Sequence, residues 1–234
     1  MKIKLMSAIT AALLLFLSSL TFTADEEPAL KTSSEKLSYA LGLEIGANLK
    51  GLPTAIDLPI FLRGLEDSFT GNKPLLTAEQ AAEAREELSG KIREERIRQM
   101  QELAEKNRKV GAAFLAENGK KEGVRTTGSG LQYTVLREGD GQTPEASDQV
   151  RVHYRGTLID GTEFDSSHKR GEPATFSVGG VIAGWTEGLQ LMTVGSRYRL
   201  FIPSELAYGE RGSRGKIGPN ETLIFEVELL AIEE

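Results

Sequence analysis

Leu37, Ala40, Leu41, Ile45 and Leu49 fall on one face of a 3.6-residue repeat, and the pattern predicts a helix that Gly51 can end. Thr32, Ser33 and Ser34 stand just before Glu35 and supply N-cap chemistry for it. A second apolar face, Leu58, Phe61, Leu62, Leu65 and Phe69, predicts a helix starting near Asp57. Pro59 is tolerated in its first turn, and Gly71 and Pro74 stop it. Thr77 and Gln80 then form a capping-box pattern, and no proline interrupts the chain from there to Asn118. At about 1.5 Å per residue this third helix is roughly 60 Å long. Its apolar stripe is thin (Leu88, Ile92, Met100, Leu103, Val110, Phe114), so it reads as a solvated arm, a coiled-coil partner, or both. Gly90 is a weak point or a bend in it.

The stretch 119–130, "GKKEGVRTTGSG", is polar and glycine-rich and reads as a hinge. Beyond it the period changes from 3.6 to 2. Leu131 to Leu136 alternates, as do Val150, Val152 and Tyr154, and Asp160-Gly161 marks a turn. "ATFSV", "SRYRLFIP" and "ETLIFEVELLAI" are further strands, and "GWTEGLQLM" is the one short helix among them. An antiparallel sheet curling around one helix is an α+β domain. The organisation expected is therefore a leader (1–24), a small helical domain (25–76), a long connecting helix (77–118), a hinge (119–130) and an α+β domain (131–234). Two short helices with four or five apolar side chains each make a marginal core, and pairing with a second copy is the natural remedy.

Charge and composition sharpen this. Lys2 and Lys4 precede an apolar run from Ile9 to Leu20, and small and polar residues lead from there to Asp25. This is the layout of a secretory signal peptide, too short for a membrane span of roughly 20 residues. Losing Lys2 and Lys4 with the leader takes the formal charge from −6 to −8, which argues against nucleic acid and anionic membranes as partners. There is no cysteine, hence no disulfide and no lipid-modified cysteine.

The chemistry-bearing residues are few. The only histidines are His153, in a strand and opposite in face to Tyr154, and His168, in a polar loop; neither has a metal-ligand spacing. No nucleophile elbow or phosphate-binding glycine loop is present. What remains is an aromatic set. Nine of the thirteen aromatics beyond the leader follow Glu122, among them Tyr154, Phe164, Trp185, Tyr208 and Phe225. Asp165 directly follows Phe164. Phe176, Tyr198 and Phe201 read as ordinary core, and Asp165 alone reads equally as a turn-stabilising carboxylate. Taken alone, these residues fit a core and a pocket equally well.

The segments "VHYRGTLIDGTEFDSS", "VIAGWTEGL", "LAYGERG" and "NETLIFEVELL" resemble the FKBP-type peptidyl-prolyl cis-trans isomerases, in order and at near-family spacing across residues 122–234. "SYALGLEIGANLK" and "FLRGLEDSFTG" are similar to the helical dimerisation region of the macrophage infectivity potentiator subgroup. The resemblance implies a half-barrel sheet wrapped on a short helix, with a pocket between them lined by Tyr154, Phe164, Asp165, Val181, Ile182, Trp185, Tyr208 and Phe225. In it Trp185 is the floor, the Ile182 N–H and the Tyr208 hydroxyl bond substrate carbonyls, and Asp165 orients polar neighbours. It further implies no cofactor and no metal, proline-containing unfolded polypeptides as substrates, macrolide inhibitors among the ligands, a homodimer through 25–76, and work on exported proteins. Localisation would be the periplasm, with outer-membrane association or export as further alternatives. Two departures stand out. Ala174 occupies a position where the family often has an aromatic, and Ser213 and Lys216 polarise the loop after Tyr208. The competing expectation is a periplasmic holdase chaperone with incidental isomerase activity, working between the arms.

Overall fold

The computed structural model describes residues 30–213 and 215–233. The leader expected at 1–24 lies outside these residues. The described residues fall into two compact units, divided between Asp57 and Leu58.

In the first unit, α1 spans Ser33–Lys50. Thr32 caps it with its side-chain oxygen, Glu35 reaches back to the cap backbone, and Gly51 closes the other end. None of its residues is buried; Leu37, Tyr39, Leu41 and Leu43 are more than half exposed.

The second unit starts with α2 (Leu58–Thr70) and α3 (Ala78–Asn118). In α2 only Asp67 is buried, held by Arg63 and Asn72. Phe69 is 89% exposed. The expected capping box at Thr77 and Gln80 is present, and α3 runs unbroken through Gly90. Among the described residues no helix is long and apolar enough to cross a membrane.

Strands β1 (Val124–Thr126), β2 (Gln132–Arg137), β3 (Gln149–Leu158), β4 (Glu163–Ser166), β5 (Ala174–Ser177), β6 (Arg197–Ile202) and β7 (Leu223–Glu233) form one antiparallel sheet. Its order is β1-β2-β6-β7-β3-β4, with β5 also pairing β3. The strand β1 falls inside the segment expected to be a hinge. Backbone pairing of Val124 and Thr126 with β2 outweighs the flexibility that its glycines suggested. His168 likewise sits not in a loop but in a one-turn helix, α4 (Ser167–Arg170), stacked on His153.

The core is built by alternation. Val150, Val152 and Tyr154 of β3 point inward while Arg151 and Arg155 stay out. Leu200, Ile202, Leu223 and Val227 face them from β6 and β7. The helix α5 (Ala183–Leu189) lies on this face. Gly184 and Gly188 let it approach β6: a Cβ on Gly188 would come within 2.7 Å of Leu200. The last turns of α3 also pack on the sheet. Phe114 meets Phe201 at 6.0 Å between ring centroids, and the buried Asn118 donates to Gln132 at 3.0 Å. The compact body therefore recruits residues well before 131.

Candidate active site

A cavity of about 650 Å³ opens between α5 and the concave face of the sheet. Tyr154, Phe164, Asp165, Val181, Ile182, Trp185, Tyr208 and Phe225 all line it. The fold explains how residues so far apart meet. Tyr154 and Phe225 are neighbours across β3 and β7, since Phe225 pairs with Gly156 in the ladder. The β3–β4 turn, with Gly161 at φ 87° and the Asp160 carboxylate accepting the Thr162 N–H, brings Phe164 and Asp165 back alongside. The helix α5 carries Trp185 onto the rings.

Trp185 is the floor, 4% exposed. Tyr154, Phe176 and Phe225 stand edge-on to it at 5.2, 5.5 and 5.2 Å, with interplanar angles of 89°, 80° and 83°. Such edge-to-face geometry is the favoured arrangement of aromatic quadrupoles. Phe164 extends the wall, edge-on to Phe225 at 5.4 Å. The indole N–H is buried with no hydrogen-bond partner among the described residues. Phe176 corrects the reading of it as ordinary core: it is half-buried and lines the cavity. Tyr198 and Phe201 are buried, as expected of core residues.

Ile182 is the N-cap of α5. Its carbonyl accepts from Trp185 and Thr186 N–H groups at 2.9 and 3.0 Å, so its own N–H lies outside the helical ladder. Tyr208 is 41% exposed at the rim. Ser213, Lys216 and Ile217 complete that side, and the Lys216 ammonium donates to the Glu163 carbonyl at 2.8 Å.

One polar cluster edges the aromatic cage. The Tyr154 hydroxyl donates to Asp165 Oδ2 at 2.5 Å, and Arg170 of α4 donates to Asp165 Oδ1 at 2.5 Å and to the Tyr154 oxygen at 2.8 Å. The Ser166 N–H adds a bond to Asp165 at 2.8 Å. Burial pushes the Asp165 carboxyl up, but the hydroxyl, guanidinium and amide bonds outweigh it, so the group ends below its ordinary value of 3.8. Tyr154 is raised above 10.0, by burial first and then by its bond to the carboxylate. Both groups keep their neutral-pH forms: an anionic Asp165 and a neutral, donating tyrosine. Arg170 was not anticipated from the sequence. Its signal was the spacing "DSSHKR", which one helical turn folds back onto Asp165.

The cavity thus offers an apolar, aromatic seat for a compact ring, with backbone and hydroxyl donors at the edges. Among the described residues no group of three or more His, Cys, Asp or Glu side chains could hold a metal ion.

Residues 140–230 match the family described as FKBP-type peptidyl-prolyl cis-trans isomerase. Residues 34–135 match the domain amino terminal to FKBP-type peptidyl-prolyl isomerase. The chain is 42% identical over 234 residues to the outer membrane protein MIP of Legionella longbeachae, covering 100% of this chain and 99% of that protein. It is 46% identical over 206 residues to the FKBP-type 22 kDa peptidyl-prolyl cis-trans isomerase of Escherichia coli K12, covering 88% of this chain and 98% of that one. The crystal structure of FkpA from Escherichia coli superposes with a TM-score of 0.73 at 38% identity, over 88% of this chain and 99% of that one.

Proposed function

The chain belongs to the FKBP-type peptidyl-prolyl cis-trans isomerases, and on that premise we propose that its aromatic cavity is where an Xaa-Pro bond is turned. Amide resonance sets the barrier to rotation at roughly 18–20 kcal/mol. Cis and trans Xaa-Pro forms are nearly balanced but exchange in tens to hundreds of seconds at about 25 °C. No bond is broken, so the protein needs only to favour the twisted amide over the planar one.

The twisted amide has lost conjugation and charge separation. A cage of Tyr154, Phe164, Phe176, Trp185 and Phe225 suits that less dipolar state and the proline ring together. The Ile182 N–H and the Tyr208 hydroxyl fix flanking carbonyls, and Val181 shapes the wall beside them. Asp165 acts as an anchor: it holds the Tyr154 hydroxyl and Arg170 at the cage edge. The observation that carries this reading is the closed edge-to-face cage around Trp185. NMR exchange on a short Xaa-Pro peptide tests it. Wild type should accelerate exchange and folded Phe164→Ala should do so less; no acceleration by folded wild type would refute it.

The substrates follow as proline-containing, partly folded polypeptides in the periplasm. A second copy pairs through 25–76, because α1 and α2 each leave their apolar faces bare, with Leu37, Leu62 and Phe69 more than half exposed. We read the domain limits as a helical dimerisation region, the connecting α3, and an isomerase body that includes the last turns of α3. One observation favours an added holding role: Ile97 and Met100 stand exposed on α3, lining a cavity of about 600 Å³ with Glu210 and Asn220 of the rim loop. If the body alone turns peptides but fails to suppress aggregation, holding belongs to the helical part.

A further inference from the structure

The rim loop that carries Tyr208 is tied to the long helix. Asn107 of α3 uses both amide protons on the turn after the loop: Nδ2 donates to the Pro219 carbonyl at 2.8 Å and to Glu221 Oε1 at 3.0 Å. Asn220, between those acceptors, donates from its side chain to the Ala104 carbonyl of α3 at 3.4 Å. Its backbone N–H donates to the Gly209 carbonyl at 2.8 Å, one residue past Tyr208. Asn220 is also the one non-glycine among the described residues with positive φ, 53°. Asparagine enters this left-handed region more readily than other side chains, and here bonds from both its side chain and its backbone hold it there. Pro219 is fully buried, and a Cβ on Gly218 would touch Asn107, Glu221 and Leu103. The turn is therefore packed and bonded against a helix that contributes nothing to the cavity wall.

We propose that Asn107, outside the pocket and on the long helix, is a positioning residue for isomerisation: it holds the 218–221 turn, and through Asn220 and Gly209 it sets where the Tyr208 hydroxyl stands. The inference rests on the proposed role of Tyr208. A hydroxyl that binds a carbonyl flanking the turning bond binds planar and twisted amide alike, so its misplacement raises KM and leaves kcat nearly unchanged.

The test is a double-mutant cycle in the full chain, Asn107→Ala and Tyr208→Phe singly and together, assayed on a short Xaa-Pro peptide with thermal unfolding measured alongside. Asn107→Ala should raise KM about fivefold with kcat within about twofold, and should change KM by less than about twofold when Tyr208 is already phenylalanine. If Asn107→Ala does not fold, Asn107→Ser, which cannot span both acceptors, takes its place in the cycle. Unchanged KM in the folded position-107 variant, or effects that multiply in full, overturns the coupling while leaving the pocket reading standing. A folded Tyr208→Phe that behaves as wild type removes the Tyr208 role itself, and this inference with it.

Discussion

Gly156 is buried on β3, and a Cβ placed there would lie 2.6 Å from two carbons of the Phe164 ring and 2.7 Å from the Phe225 ring. Its φ is not in the left-handed region, so Gly156→Ala adds no backbone strain of that kind; it adds a wedge at the edge-to-face junction of two cage walls. Carbon atoms prefer about 3.5–4.0 Å, so the rings must give way by roughly 1 Å. Overpacking of this kind costs about 1–3 kcal/mol, against a total stability of about 5–15 kcal/mol, so the fold survives. For a unit of this size, residues 58–234, each kcal/mol lowers Tm by about 2–4 °C. The cage does not fare so well. A displacement of about 1 Å at a binding constellation can cost up to about a hundredfold in rate. Peptide exchange by NMR should therefore show kcat/KM lowered about 10- to 100-fold, at a temperature where circular dichroism reports a folded protein. A folded Gly156→Ala with reduced Tm and wild-type turnover would mean that Phe164 and Phe225 do not grip the substrate, and the cage argument would fail.

Asp165→Ala leaves the Tyr154 hydroxyl and Arg170 without their shared anchor, and kcat/KM should fall moderately, about three- to tenfold, in a folded protein. Unchanged turnover would remove Asp165 from the site. Because the folded Asp165 carboxyl titrates below 3.8, its contribution to stability is complete above that value and is lost as pH falls through the lower, folded one. Urea titrations of wild type and Asp165→Asn should accordingly differ by a constant amount from pH 5 to 8 and converge only in stronger acid. A fragment beginning at residue 122 loses Asn118 and the Leu115 carbonyl, the two partners of the Gln132 side chain, together with the Phe114 ring that packs on Phe201. It should be less stable by at least about 1–3 kcal/mol than one beginning at 102, as read from denaturant midpoints. Phe69→Glu places a charge on the bare face of α2 and should shift the full chain from dimer toward monomer in sedimentation experiments; an unchanged mass would exclude that face from pairing.

The helices α1, α2 and α3 were legible from their period, and α1 and α3 from their caps as well: Thr32 with Glu35, and Thr77 with Gln80, bond as their spacing suggests. The strands of the second half were legible from alternation, as in Val150, Val152 and Tyr154. Four things were not, the first being α4 with Arg170, a single turn too short to carry a period. The strand β1 is only three residues long and polar, so its pairing with β2 had no hydrophobic signature. Phe176 alternates like any core residue, and only the position of α5 turns its ring into a wall. The bonds of Asn107 with the 218–221 turn join residues more than a hundred positions apart. Nothing local marks them, because an asparagine on a charged helix face looks like one more solvated side chain. As for the site, periodicity left pocket and core equally open for its aromatics; it was the family resemblance that picked out the eight residues the cavity brings together.

The chain contains a single tryptophan, and it is the floor of the cavity. Its intrinsic fluorescence is therefore a built-in spectroscopic probe with one address. Whatever the rest of the chain does, the indole emission reports the dielectric and the quenching groups of the cage alone. Arrival of a proline ring above Trp185 should change intensity or colour without any label, so ligand dissociation rates can be followed by stopped flow in the native, unmodified protein.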